Sequence, residues 1–180
     1  MNDHQQKRPA AGQAGNDGGT FCSSLLCLAN LEKLLTQIRR HEGVRTQAYY
    51  DTAEPPQLSI GVGHNCQAIP VPGVSRAGDR ISEKQVEELL IQDLGHAEKE
   101  LLKNFPWIGE LAEVRRAVMI NMAFNMGLPT LKTFRNTLGA VREGRYEDAA
   151  QGMLQSKWAR QVKGRAVELA AQMESGEWPA

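Results

Sequence analysis

Apolar residues recur at helical spacing through Leu31, Leu34, Leu35 and Ile38. This pattern predicts an amphipathic helix with Asn30 as its N-cap and Gly43 as its stop. The period then changes. Between Val44 and His64 the apolar runs 47–50 and 57–62 are short and β-type. The intervening Thr52-Ala53-Glu54-Pro55-Pro56 forces a turn, because proline donates nothing to a ladder. A small hairpin or three-stranded antiparallel sheet is expected, and Gly61 and Gly63 suggest that something approaches the backbone closely there. Residues 70–80 read as a loop. Ser82 followed by Gln85 has the form of a capping box, and it opens a long amphipathic run through Val86, Leu89, Leu90, Leu94, Leu101 and Leu102. Val114–Met126 is apolar almost all round, which predicts a buried central helix stopped by Gly127 and Pro129. Shorter amphipathic segments follow at 132–141, 146–155 and 164–173. The fold class is α+β, mainly α. A small β lobe (about 42–82) connects through a linking helix (about 83–103) to a helical lobe (about 104–180) that also includes the first helix. A cleft between two lobes is a usual ligand site.

Composition narrows the partners. The chain of 180 residues suits one domain with two lobes, and its 21 Lys and Arg balance 21 Asp and Glu. No global field gathers nucleic acid, so none is expected as a partner. Arg115, Arg116, Arg135, Lys157, Arg160, Lys163 and Arg165 make the C-terminal half mildly basic. Two readings stay open for them: a face for an anionic polymer, or an ordinary solvated surface. Residues 1–29 read as a disordered or loosely attached tail ahead of a domain at 30–180, because the first twenty are too polar to offset ordering entropy. The stretch Phe21–Ala29 is too short and too interrupted by Ser23 and Ser24 for a secretory signal. No run is long enough to span a membrane, and stable membrane insertion is not expected.

Cys22, Cys27 and Cys66 cannot all pair within one chain, and their spacing is not that of a zinc site. Reduced thiols are the default, with a bridge from Cys66 to the N-terminal segment left open. Neither a metal cluster nor a phosphate loop is visible, so no cofactor is implied. Met119, Met122, Phe124 and Met126 read as core filler, and Trp158 and Trp178 as packing anchors.

The chemistry points to carboxylates. Glu42 falls at the end of the first helix, where the macrodipole favours cations and a carboxylate is out of place. Asp51 follows the first strand, so a short connection brings both acids toward one cleft. Paired carboxylates are the equipment of glycoside hydrolysis: one donates a proton to the leaving oxygen while the other orients water or attacks the anomeric carbon. Ser59 supplies a hydroxyl for that water. The alternative for Asp51 is a turn initiator that accepts backbone N–H groups. Residue spacing leaves both open.

The blocks His41-Glu42-Gly43-Val44-Arg45, Tyr49-Tyr50-Asp51-Thr52 and Ser59-Ile60-Gly61-Val62-Gly63-His64 resemble the Glu-Gly-x-Arg, Tyr-x-Asp and Thr-x-Gly-x-Gly-His blocks of the phage-type lysozymes. These form the glycoside hydrolase family that includes the lysozyme of the T-even bacteriophages. The likeness continues through Ile81–Asp93, Val114–Ala117, Ile120–Gly127, Ser156-Lys157-Trp158, Arg165-Ala166 and Ser175–Trp178, covering about Leu31 to Trp178 in unbroken order.

The resemblance implies that Glu42 is the general acid, Asp51 the base that orients water, and Ser59 the stand-in for the family's water-holding threonine. It further implies that Asn125 and Gly63 contact substrate, that Arg165 reaches back to Glu42, and that His64 pairs with Asp93 as structural support. The implied activity is hydrolysis, with inversion, of the β-1,4 bond between N-acetylmuramic acid and N-acetylglucosamine in peptidoglycan. A monomeric endolysin is expected, accumulating in the host bacterial cytoplasm and reaching periplasmic peptidoglycan by a holin or another export route.

Two departures stand out. The turn between Asp51 and Ser59 is longer than in the T-even phage enzyme and adds Glu54 as a competing second carboxylate, although the Tyr50-Asp51-Thr52 block carries the match. Ser59 keeps the hydroxyl of threonine but lacks the methyl that restricts its rotamer. The rivals are a lytic transglycosylase, which needs no water-orienting base, a non-catalytic glycan-binding domain, and the lysozyme domain of a bacteriocin or phage tail.

Overall fold

The computed structural model describes residues 26–179. The readings of residues 1–25, including Cys22, lie outside the described residues. The elements, in chain order, are α1 (Leu28–Glu42), β1 (Arg45–Tyr50), β2 (Leu58–Gly61), β3 (His64–Asn65), α2 (Glu83–Asn104), a 3₁₀ turn (Pro106–Glu110), α3 (Glu113–Leu131), α4 (Arg135–Arg142), α5 (Tyr146–Leu154), α6 (Lys157–Val162) and α7 (Gly164–Ser175). The fold is α+β and mainly α, a small antiparallel sheet ordered β1-β2-β3 joined by α2 to a helical lobe.

The start of α1 differs from expectation. Cys27 is the N-cap, and Asn30 sits inside the first turn. The Asn30 side chain is engaged elsewhere: Nδ2 donates to Glu113 Oε2 at 2.6 Å and Oδ1 accepts from Trp178 Nε1 at 2.7 Å. Together with the N–H of Cys27, these bonds staple the head of α1 to the head of α3 and the C-terminal segment. The Asn30 amide, then the Cys27 groups, hold the Glu113 carboxyl down to about 2. Charge-stabilising donors favour the ionised form. Trp178 is thus an anchor with a polar handle, not packing alone.

In the sheet, Tyr49 lies opposite Ser59, and Ile60 opposite His64. Part of the expected loop is ordered against the outer edge of β1, with Ala48 N–H donating to the Asp79 carbonyl at 2.8 Å and Ile81 N–H to the Thr46 carbonyl at 2.9 Å. Covering that edge satisfies groups that would otherwise template further pairing. Gly61 and Gly63 have φ of 68° and 80°. Their glycine identity follows from this left-handed backbone rather than from crowding, because a Cβ on Gly63 would meet nothing within 4 Å.

Ser82 forms the expected reciprocal box with Gln85 at the head of α2. Gly127 kinks α3 instead of ending it. The helix resumes, and Pro129 falls in the first turn of the new piece, where a missing N–H costs little. A six-residue helix, α6, fills the gap between the amphipathic segments 146–155 and 164–173; Ser156 caps it, accepting from Ala159 N–H at 3.0 Å. One hydrophobic cluster runs through both lobes, from Ile60 and Val86 to Met119, Ile120 and Leu169.

Three of the arginines counted toward a basic face work elsewhere. Arg116 and Arg165 are buried. Arg115 clamps the end of α7, donating to the Met173 and Glu174 carbonyls at 2.8 and 2.9 Å while its guanidinium stacks 3.7 Å over the Tyr146 ring. Gly176 ends α7 in the left-handed region, and a Cβ there would sit 2.7 Å from Arg115 Nη1. Gly176→Ala is therefore expected to destabilise the fold by about 1–2 kcal/mol from backbone strain alone, more as the clamp is displaced. Urea unfolding checks this, and an unchanged midpoint would refute it.

Candidate active site

Glu42 is the last residue of α1, and Gly43, at φ 77°, turns the chain sharply toward β1. The carboxyl therefore stands where the helical lobe meets the sheet. It lines a cleft of about 390 Å³ together with Gly63, His64, Asp93, His96 and Asn125. Two donors converge on a single oxygen of Glu42: Arg165 Nη1, in an ion pair, and Asn125 Nδ2 at 3.1 Å, both on Oε1. The guanidinium is almost fully buried, whereas the Glu42 side chain is 27 % exposed. With Oε1 occupied twice as an acceptor, a proton on this carboxyl resides on Oε2.

Asn125 is held in turn, since its Oδ1 accepts from Trp158 Nε1 at 2.7 Å. Trp158 packs edge-on to Phe134. Asn125, Phe134 and Trp158 also line a larger open groove of about 1090 Å³ along the helical lobe, so the two cavities adjoin at Asn125.

His64 is buried with both ring nitrogens engaged, Nδ1 on Asp93 Oδ2 at 2.9 Å and Nε2 on the Ile69 carbonyl at 2.8 Å. A carbonyl and a carboxylate only accept, so both nitrogens carry protons and the ring is an imidazolium. The Asp93 hydrogen bond outweighs burial and raises the His64 pKa above 6.5, helped by the Ile69 carbonyl. The pair bolts the turn after β2 to α2.

Asp51 and Ser59 are not among the residues that line this cleft. Asp51 Oδ1 accepts N–H bonds from Ala53 at 3.1 Å and Gln57 at 2.8 Å, which is the turn-initiator arrangement. Ser59 is 4 % exposed in β2, opposite Tyr49, two residues before Asp51. Glu54 lies on the exposed outer part of the turn. Among the described residues Cys27 and Cys66 form no bridge, and burial pushes the buried Cys66 thiol up. Among the described residues, no acidic, histidine or cysteine group has the makings of a metal site, and no helix is long and apolar enough to cross a membrane.

A family model described as phage lysozyme matches residues 39–173. The chain belongs to the phage lysozyme family. This is a family of muramidase-type glycoside hydrolases, and the matched span includes Glu42, the whole sheet, α2 and nearly all of α7. The chain is 30 % identical over 149 residues to the pre-baseplate central spike protein Gp5 of Enterobacteria phage T4, which covers 72 % of this chain and 25 % of that protein. It is 26 % identical over 159 residues to the probable T4-type lysozyme 1 of Dictyostelium discoideum, covering 77 % of this chain and 92 % of the relative. A peptidoglycan hydrolase, gp36 of Pseudomonas phage phiKMV, is 26 % identical over 152 residues, covering 84 % of this chain but 16 % of its own length. The chain thus spans a quarter or less of two of these relatives.

Sequence reasoning found the Glu42–Arg165 and His64–Asp93 pairs only through resemblance, and it assigned Asn125 to substrate without its bond to Glu42. It also missed the Trp158 bond to Asn125, although an indole N–H in a packed lobe needs an acceptor. His96, which lines the cleft, was not singled out, and on sequence it is one polar residue among many on α2.

Proposed function

We propose that this chain hydrolyses the β-1,4 bond between N-acetylmuramic acid and N-acetylglucosamine in bacterial peptidoglycan, with Glu42 as general acid. The observation that carries this reading is the state of the Glu42 carboxyl: it faces the inter-lobe cleft with Oε1 pinned by Arg165 and Asn125, so Oε2 is the oxygen that presents the proton. Asp51 acts as the base that orients water, and Ser59 holds that water. Attack on the face opposite Glu42 inverts the anomeric centre. Asp51 keeps its second oxygen for this work, since both turn bonds go to Oδ1. Gly63, with open space where a Cβ would stand, gives the sugar a bare stretch of backbone, and the groove beyond Asn125 has room for a polymer.

The setting proposed is a monomeric phage endolysin stored in the host cytoplasm and released to the periplasm by a holin or comparable route. The similarity to the pre-baseplate central spike protein Gp5, of which this chain covers a quarter, supports a second setting as the lysozyme part of a phage structural assembly.

The test is digestion of purified peptidoglycan in ¹⁸O-labelled water with mass analysis of the fragments. Reducing muramic acid ends carrying one ¹⁸O per cleavage, released first as the inverted anomer, are expected. Unlabelled 1,6-anhydro ends would replace hydrolysis with transglycosylation. Binding without cleavage would make the chain a glycan-binding domain.

A further inference from the structure

Behind Glu42 lies a buried row of side-chain amides that the catalytic reading does not use. Asn121, in the apolar middle of α3, is 0 % exposed; Gln37 of α1 and Gln172 of α7 are 3 % and 1 % exposed. Buried polar groups of this kind are retained only when bonded, and here the bonds have a direction.

Arg165 only donates, and both its Nε (3.0 Å) and its Nη2 (2.6 Å) point at Asn121 Oδ1. Asn121 must therefore turn its Nδ2 away, where it donates to Gln37 Oε1 at 3.0 Å. That in turn aims Gln37 Nε2 at two acceptors, Glu168 Oε1 at 2.8 Å and Gln172 Oε1 at 2.9 Å. The orientation of Gln172 is set by its own bond to the Val114 carbonyl at 3.3 Å. Glu168, an acceptor with no proton to give, closes the row and also binds Arg40 and, at 2.8 Å, His41 Nε2. Burial opposes its charge, but the Gln37, His41 and Arg40 contacts prevail and lower its pKa. A donor-only group at one end and an acceptor-only group at the other leave each amide one permitted orientation. A flipped Gln37 would face amide N–H to amide N–H at Asn121 and oxygen to oxygen at Glu168.

We infer that Gln37 is a positioning residue for Glu42, acting through Asn121 to hold the Arg165 guanidinium in the pose that reaches Glu42 Oε1. The inference rests on the proposed role of Glu42. The guanidinium meets Asn121 through two nitrogens and Glu42 through the third. Any turn of the Asn121 amide therefore moves the group that fixes the acid. Gln37 lies outside the cleft lining, so its loss changes turnover and leaves substrate affinity nearly intact.

The experiment compares native protein with Gln37→Met, Gln37→Glu and the exchanged pair Gln37→Glu/Glu168→Gln. Steady-state hydrolysis of soluble glycan strands is measured alongside solvent exchange of the Arg165 Nε–H by NMR. Gln37→Met keeps the shape and removes the polarity; kcat is expected to fall about tenfold, with KM within about twofold, in the manner of a small displacement of a reacting group. Exchange at Arg165 Nε–H is expected to quicken about tenfold as its acceptor loosens. Gln37→Glu sets two carboxylates against each other and is expected to lose more. The exchanged pair restores donor to acceptor between positions 37 and 168, with Gln172 turning its amide at the expense of its long bond to Val114 and the largely exposed Arg40 swinging off the oxygen position it now shares with Gln37, and is expected to return kcat to within about threefold of native.

A folded Gln37→Met with native kcat and native Arg165 exchange overturns the inference. So does an exchanged pair no better than Gln37→Glu alone, because packing without polarity predicts no rescue. If the native chain itself fails to cleave glycan, the proposed function falls, and the Arg165 exchange rates still decide whether Gln37 controls that guanidinium.

Discussion

Glu42→Gln is expected to reduce peptidoglycan cleavage by at least about 10³-fold while leaving the fold intact, the upper part of the range for loss of a positioned general acid. The substitution is unusually clean at this site. The glutamine carbonyl oxygen takes the place of Oε1 and still accepts from Arg165 and Asn125, whose bonds both go to that one atom. The amide nitrogen takes the place of Oε2, which is where the transferable proton must sit, and an amide does not give its proton to a leaving alkoxide. Clearing of outer-membrane-permeabilised cells and reducing-end release measure the loss, with circular dichroism and thermal melting as controls. Activity within tenfold of native from a folded Glu42→Gln would remove Glu42 from the acid role and turn attention to Asp51 or Glu54.

The same site shows how far residue patterns reach. The helix ending at Glu42, the glycine that turns the chain after it, the Ser82 capping box and the buried α3 were legible, because each is written in local spacing and cap chemistry. What was not legible is what local spacing cannot encode. The bonds that hold Glu42 come from Asn125 and Arg165, 83 and 123 positions away, and the Gln37 contact with Glu168 spans 131. The one sequence signal for that network is a polar Asn121 embedded in an apolar helix. Asn30 failed as a cap for a similar reason: a good capping side chain was claimed by Glu113 and Trp178, two tertiary partners.

The sequence leaves two readings for Asp51, turn initiator or catalytic base. The geometry makes them compatible. Its Oδ1 organises the Thr52–Gln57 turn through Ala53 and Gln57 N–H groups, and a carboxylate fixed by two backbone donors is a rigid platform for whatever its second oxygen does. The longer, proline-bearing turn is thereby anchored to the residue it follows. Glu54, exposed at its outer part, accepts no comparable pair of backbone bonds among the described residues, a physical reason to keep Asp51 in the proposed role of second carboxylate.

The second large effect expected is on stability. Asp93→Asn should destabilise the protein by about 2–3 kcal/mol at pH 6, the scale of a hydrogen bond to a charged group in a buried setting, and lower its melting temperature by roughly 5–10 °C. The fold keeps His64 protonated through the Asp93 carboxylate first and the Ile69 carbonyl after it, so its folded pKa lies above the ordinary 6.5. A group whose pKa is raised by folding contributes its full stabilisation below the unfolded value and loses it as pH rises through the folded one. The native protein should therefore be most favoured over Asp93→Asn near pH 6, and the gap should narrow toward pH 9 as the imidazolium gives up its proton. Urea unfolding of both proteins across that range measures the gap. A difference that is the same at pH 6 and pH 9 would show that the pair does not titrate as linked. No difference at either pH would remove it from the stability of the fold. Because the pair ties the β2–β3 turn to α2, and Gly63 and Val62 beside it line the cleft, its loosening should reach the sheet before the helical lobe. Amide exchange in β2 and β3 would then quicken well before that in α3.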